Sequence, residues 1–451
     1  MTKMASEKIT TQRRGSPVAA VALVVLYVAV LMLPLVMAAL TGEQESEPFL
    51  TVLGTSAALV AITILAMQMV LAGRLKAVCE HYGLDMVLRF HKSVAVLSLG
   101  LLIAHPILLS LAHGNWNLIT SFDLPWYIWF GKIALVLLVI QAITSLWQKQ
   151  LLDFQVWRVV HNQAPVILLL VFTHSWVVGE DVEATPMRIL WVALLGVALV
   201  VYSLHKFVWP AMRKSRLWEV ASVQQEARDV WTLEFEPPGS EDSFDYAPGQ
   251  FNFVTLYRDD DRYDGEEHHF TISSSPTSGP THTTTIKNSG DFTSTIGATR
   301  PGDRAMIEGP YGRFSYTLNA PDDRYLFIAG GIGITPIMSM LRHMRDTAAD
   351  VDVTLIYGSK TQDDIVFRAE MDEIADGAAP RLKVVHVLSE EEWDNPTGRV
   401  DRELIVDEAG SDLSDYSIYI CGPVPMMDKM IELVLELGAR EDRLYSERFW
   451  L

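Results

Sequence analysis

The stretch RFHKSVAVLSLGLLIAHPILLSLAH, residues 89–113, is long and apolar enough to cross a bilayer, yet it carries His91 and His105 within its length. Crossing about 30 Å of hydrocarbon takes roughly 20 helical residues. An ionisable side chain at that depth is costly and is by default a functional candidate. Five more apolar runs share the first 210 residues, so the predicted spans are 17–40, 49–72, 91–112, 126–147, 161–178 and 187–209. The fifth, in WRVVHNQAPVILLLVFTHSW, repeats the anomaly with His161 and His174.

Helical geometry treats the two pairs differently. Fourteen residues from His91 to His105 turn through about 1400°, some 40° short of whole turns, and rise about 21 Å, so both rings address one neighbour near opposite membrane surfaces. Thirteen residues from His161 to His174 leave the rings about 140° apart on a straight helix. The fifth span must therefore bend or unwind for both to point inward, and Pro165 supplies a cause.

Neutral imidazole is an axial ligand of haem iron, two per iron making a six-coordinate electron-transfer centre. A single membrane histidine more often hydrogen-bonds to a neighbouring helix, whereas four in matched pairs favour ligation. Spans 3 and 5 run in the same direction, which pairs His91 with His161 and His105 with His174. His81, His113 and His205 stand at loop or helix ends and read as interfacial histidines.

Positive charge sets the orientation. Lys and Arg cluster before span 1, between spans 2 and 3, between spans 4 and 5, and after span 6, while GEQESEP (42–48) and GEDVEATP (179–186) carry none. The N-terminus and the C-terminal half are thus expected in the cytoplasm of a multi-pass plasma-membrane protein. The first apolar run is too long for a signal peptide and reads as the first anchor. The net charge of −19 belongs mostly to the second half and argues against a nucleic-acid partner. With two cysteines in different regions, Cys79 and Cys421, a disulfide framework or cysteine zinc site is not expected. RDDDRYDGEE (258–267) has calcium-loop composition but Asp264 where the loop needs glycine, and reads as an acidic surface turn.

The histidine spacing, the spans that carry it and GLDMVLRFHK (83–92) resemble the transmembrane domain of the ferric reductase and NADPH oxidase superfamily. That resemblance implies two b-type haems, the inner held by His91 and His161 and the outer by His105 and His174.

After residue 215 short β-rich runs alternate with turns, as in WTLEFEPP, GQFNFVTLY and HTTTIKNSG, which suggests a small antiparallel barrel. From 325 strands alternate with helices, as in YLFIAGGIGITPIMSMLRHM and YSIYICGPVPMMDKMIELVLEL, which argues for a parallel α/β sheet. The expected organisation is a tail at 1–16, a six-helix di-haem domain at 17–210, an FAD-binding barrel at 211–320 and an NAD(P)H-binding α/β domain at 321–451. Barrel plus α/β domain resembles the ferredoxin reductase type of flavoprotein.

By that resemblance HHFTISSS (268–275) is the first flavin motif. His268 faces the pyrophosphate, Phe270 packs by the isoalloxazine, Thr271 bonds near flavin N5, and Ser273 completes the motif; His269 stands where the oxidase branch commonly has proline. KNSGDFTSTI (287–296) resembles the second motif, with Lys287, with Gly290 admitting phosphate, and with Thr293 expected to cap a short helix whose N–H groups attract it. This motif favours FAD over FMN. IAGGIGITP opens a helix after a strand, so Gly331 and Gly333 admit the dinucleotide while Thr335 and Pro336 begin the helix. CGPVPM (421–426) resembles the nicotinamide-side motif, implying that Cys421, Gly422 and Pro423 lie by the reacting ring; Cys421 reads equally as a buried core thiol. Ser359 and Lys360 favour NADPH over NADH by gripping a 2′-phosphate, although Lys360 also reads as a surface charge. In SERFWL, Phe449 stands where relatives shield the flavin.

The implied route is NAD(P)H, FAD, inner haem, outer haem, then dioxygen or ferric iron, with no protein acid or base required. The alternative is a haem-flavin redox sensor or an electron donor to a membrane partner. Oligomeric state is not legible.

Overall fold

The computed structural model describes residues 17–41, 47–239, 244–259 and 263–447; the basic N-terminal tail, Glu43, Glu45 and Phe449 lie outside the described residues. The chain divides into two compact units that meet in sequence between Pro210 and Ala211.

Among the described residues six helices are long and apolar enough to cross a membrane: spans 1 to 6 are Pro17–Thr41, Phe49–Ala72, Leu84–His113, Trp126–Leu146, Phe154–Val178 and Thr185–Lys214, the last running past the boundary at Pro210. Span 3 begins seven residues before its predicted start, because LDMVLRF continues the helix from Gly83, whose φ of +77° marks the entry. Span 2 is the most enclosed, and its Ile62, Leu65 and Met69 pack with Leu138, Phe172 and Trp191 from spans 4 to 6. Trp191 is fully buried and donates its indole N–H to Ser175 Oγ at 3.1 Å, which removes the penalty of an unpaired polar group in that core.

Span 5 is broken. It is helical over Phe154–His161, turns at Asn162 and Gln163, and resumes over Ala164–Val178. Pro165 sits in the first turn of the resumed helix, where its missing N–H breaks no hydrogen bond. The irregularity thus lies just before the proline. Span 6 contains a π-helical turn, Leu204–Val208.

The second unit contains two sheets. In the first, β1 (Trp218–Ala227), β2 (Val230–Glu236), β3 (Phe251–Tyr257), β4 (Glu267–Thr271), β5 (His282–Lys287) and β6 (Arg304–Tyr311) run antiparallel in the order β4-β3-β6-β1-β2-β5. One isolated bridge, Ile272 to Thr284, joins the chain after β4 to β5 at the opposite edge. Val220, Leu233, Phe235, Val254 and Leu256 fill the core.

In the second sheet, β7 (Arg324–Gly330), β8 (Asp352–Ser359), β9 (Arg381–Leu388), β10 (Ser417–Cys421) and β11 (Leu444–Ser446) are parallel in the order β11-β10-β7-β8-β9. Both faces are covered: Phe327, Leu355 and Tyr357 pack on one side and Ile328, Ile356 and Ile418 on the other. Helix α1 (Ile334–Asp346) follows β7 and helix α2 (Val424–Glu436) follows β10. The chain progresses outward from β7 through β8 to β9, then returns to β10 on the other side of β7. The strand order therefore reverses between β7 and β10, the position where such sheets bind ligands.

Candidate redox site

The membrane unit brings His91 and His161 together, with ring centroids 6.3 Å apart and planes at 62°. Two imidazoles on opposite sides of one iron, at about 2 Å per metal–nitrogen bond, would hold their centroids about 6 Å apart. The turn at Asn162–Gln163 lets His161 turn inward without regard to the direction of His174. Trp157 stacks on His161 at 5.0 Å, and Gln141 and Ser145 of span 4 approach its Nδ1 at 3.2 and 3.4 Å. His91 Nδ1 has no hydrogen-bond partner among the described residues.

The second pair is held from neighbouring helices. His105 Nδ1 lies 2.9 Å from the Gly54 carbonyl oxygen on span 2, and His174 Nδ1 lies 2.8 Å from the Tyr127 carbonyl oxygen on span 4. A carbonyl can only accept, so both Nδ1 atoms carry the proton and both Nε2 lone pairs stay free to ligate. A Cβ at Gly131 would stand 3.0 Å from the His174 ring, so this glycine makes the ring's place. Gly54, Gly131 and Gln141 escape sequence reading; Gln141, a polar residue within an apolar span, is the one with a visible signal. Among the described residues no three His, Cys, Asp or Glu side chains cluster to hold a metal ion, whereas haem ligation needs only two histidines per iron.

On β4, His268 and Phe270 share a face by strand alternation. The His268 ring lies flat on Phe292 at 3.8 Å, its Nε2 is 3.2 Å from Glu266, and Phe270 lies nearly parallel to both rings. Thr271 is buried at the strand's end, and Ser273 N donates to Thr283 O at 2.8 Å while its hydroxyl meets Thr283 and Thr285. Thr293 does not cap a helix. Phe292 precedes the 3₁₀ turn Thr293–Ala298, and Thr293 Oγ1 instead accepts from the N–H groups of Ser289 and Gly290, because the loop folds back onto it. A Cβ on Gly290 would point into open space.

The turns after β7 and β10 touch backbone to backbone. A Cβ on Gly333 would fall 2.4 Å from Cys421 O, and one on Gly422 would fall 3.1 Å from Gly330 N. Gly331 has φ +53°, a conformation that favours glycine, and its carbonyl accepts from Tyr357 at 3.1 Å. Thr335 is buried, its hydroxyl donating to Ile332 O, and Pro336 is buried in the first turn of α1. A cleft of about 400 Å³ opens beside these turns, and Lys287, Gly331, Ser359, Lys360 and Pro423 all line it. Arg399 and Lys429 line it too, unforeseen because NPTGRV reads as a loop and Lys429 as a solvated helix charge. Lys360 pairs with Glu390 at 2.9 Å, both side chains being exposed.

Cys421 is wholly enclosed; burial, and then the charge of Glu447, push its thiol well above the ordinary range, so it remains protonated at neutral pH. Glu447 is itself buried, and a Cβ at Gly312 would fall 2.7 Å from its Oε1.

A transmembrane helical unit joined to flavin-type and nucleotide-type sheets defines a membrane-anchored NAD(P)H-dependent oxidoreductase. The family described as ferric reductase like transmembrane component matches residues 57–172, the oxidoreductase FAD-binding domain matches 218–316, and the oxidoreductase NAD-binding domain matches 327–432. The chain belongs to the superfamily that fuses a ferric reductase-like transmembrane domain to FAD- and NAD-binding oxidoreductase domains. One component of the 1,2-phenylacetyl-CoA epoxidase of Escherichia coli is 31% identical over 242 residues, covering 51% of this chain and 66% of that protein. The glycine betaine monooxygenase reductase of Pseudomonas aeruginosa is 31% identical over 218 residues, covering 46% and 57%. The chain thus spans less than two thirds of the length of either relative. The flavohem-like FAD/NAD binding domain of Vibrio cholerae nitric oxide dioxygenase is 21% identical with a TM-score of 0.46, covering 51% of this chain and 97% of that one.

Proposed function

We propose that the chain passes electrons from cytoplasmic NAD(P)H through FAD and two b-type haems to an acceptor on the outer face, dioxygen or ferric iron. The observation that carries this reading is the pairing of His91 with His161 at 6.3 Å on spans 3 and 5 of a chain whose other half is a flavin and nicotinamide reductase. FAD, when bound, would supply the exchange between a hydride's electron pair and single electrons, and haem held by the paired histidines would supply one-electron transfer.

The protein's own groups bind and orient. The Gly54 and Tyr127 carbonyls hold His105 and His174 in the Nδ1–H tautomer, which would leave Nε2 of each free to hold an outer haem. His268, Phe270 and Thr271 take the flavin, while Gly290 and Thr293 shape the loop at its phosphates. Gly331, Gly333, Thr335 and Pro336 receive the nicotinamide dinucleotide, and Gly422 and Pro423 close its far side. Lys287, Lys360, Arg399 and Lys429 line the cleft and outnumber Asp229 and Asp364 there, which supports NADPH; Glu390, already paired with Lys360, weakens that residue's share. Ser359 lies beside them. Cys421 acts by shape, since a protonated buried thiol is no nucleophile. The clustering of Lys and Arg in alternate loops supports an orientation with the N-terminus and the C-terminal half inside.

The test is anaerobic addition of NADPH to purified full-length protein, followed at the haem bands. Reduction of two haems per chain is expected, and protein yellow with flavin but devoid of haem after haem-replete expression would end the proposal. Cytochrome c reduction sensitive to superoxide dismutase, against reduction of a ferric chelate, then separates the two acceptors.

A further inference from the structure

Helix α1 connects the glycine-rich turn to the flavin segment along a single stripe. From Thr335 the steps to Ser339, Arg342 and Asp346 are four, three and four residues, so the four side chains share one face. The last three all reach residues 273–277, just beyond β4. Ser339 Oγ donates to Ser274 O at 2.6 Å and accepts from Gly249 N–H at 3.1 Å. Arg342 Nη1 donates to Ser273 O at 2.6 Å, and Asp346 Oδ2 accepts from Thr277 Oγ1 at 2.9 Å.

Arg342 is held by three further contacts. Its Nε and Nη2 donate to the two oxygens of Glu370 at 2.8 and 2.5 Å, and its guanidinium covers the Phe367 ring at 4.6 Å. Phe367 has φ +61°, a left-handed conformation that a phenylalanine rarely adopts and that persists only where its surroundings over-determine it. Burial raises the Glu370 carboxyl, but the hydrogen bonds and charges of Arg342 and Arg345 outweigh it and hold the group below its ordinary range. A lysine ammonium, a point charge, cannot span the Glu370 fork and Ser273 O together.

We infer that Arg342 is a positioning residue for hydride transfer, setting the flavin segment against the glycine-rich turn through the carbonyl of Ser273. The inference rests on the proposed reading of Thr271 and Gly331 as cofactor contacts. In that transfer the C4–H bond of the dihydronicotinamide breaks with both electrons, an N–H bond forms at flavin N5, and NAD(P)⁺ leaves. Arg342 touches neither ring. Its effect is distance, to which a reaction needing donor and acceptor about 3–3.5 Å apart is steeply sensitive.

The test mixes FAD-loaded full-length protein anaerobically with NADPH and follows flavin bleaching. Arg342→Ala is expected to keep FAD content and the half-saturating NADPH concentration within about twofold while slowing saturated bleaching about tenfold or more. Arg342→Lys is expected to recover part of that rate, and Thr277→Val, which removes the partner of Asp346 at the outer end of the stripe, to show a smaller loss. Bleaching within twofold of wild type in FAD-loaded Arg342→Ala overturns the inference. Should that variant lose FAD, wild-type bleaching in FAD-loaded Arg342→Lys overturns it instead. Wild-type protein that neither NADPH nor NADH bleaches would sink the parent reading, an outcome distinct from failure of the variants alone.

Discussion

His282 gives the sharpest quantitative expectation. It lies on β5 with 1% of its surface exposed, stacked on Phe244 at 4.8 Å, edge-on to Trp218, and with Nε2 2.9 Å from the Asn252 amide nitrogen. With the amide nitrogen facing the ring, Nε2 accepts and the imidazole is neutral. Burial pushes its pKa down to about 3. The unfolded chain, with a histidine near 6.5, binds the proton first, so stability is complete above pH 6.5 and falls as pH drops toward 3. From this one residue the loss is on the order of 1 kcal/mol at pH 5.5 and 3 kcal/mol at pH 4.5. His282→Phe fills the same cage without a proton site, but leaves Asn252 without an acceptor at a cost of about 1–3 kcal/mol at every pH. Thermal unfolding of full-length protein, followed by release of flavin fluorescence between pH 7.5 and 5, should therefore show a less stable variant with a flatter acid limb. Parallel pH profiles for wild type and variant would refute the argument.

Gly131→Val places a branched side chain against the His174 ring and is expected to cost one haem of two, read as pyridine haemochrome per FAD. Gly333→Ala drives a methyl into Cys421 O and should abolish NAD(P)H-driven flavin bleaching while FAD stays bound. Cys421 should resist maleimide at pH 8 in folded protein and react once it is denatured, because burial keeps the thiol protonated. Arg399→Ala should raise the half-saturating NADPH concentration roughly ten- to a hundredfold and leave that for NADH nearly unchanged, the range expected for one lost charge-assisted hydrogen bond of about 1.5–3 kcal/mol.

Membrane spans are legible because an apolar run of bilayer length is a one-dimensional signal, and the four histidines stand out against it. Helical periodicity also shows that span 5 must bend or break, since His161 and His174 cannot share a face on a straight helix. What it misses is the place of the break at Asn162, before Pro165, because a turn and a kink at the same proline leave the same sequence trace. The carbonyls that orient His105 and His174 are invisible for a different reason: they belong to Gly54 and Tyr127, and which residue faces which depends on helix register. The strand-turn-helix context of IAGGIGITP is local and readable. Arg399 and Lys429 reach the same cleft only through the crossing order of β9, β10 and β7, which no short window contains. Thr293 is instructive in another way, since a threonine at a helix start can equally close the loop before it.

The contact between the turns at Gly330–Gly333 and Cys421–Gly422 has a practical corollary for engineering. Segments some 90 residues apart form one surface whose halves leave no space for each other's side chains. Grafting a nucleotide loop from a relative to switch coenzyme would have to transplant both turns as a matched set, since either one alone meets a counterpart shaped for a different neighbour.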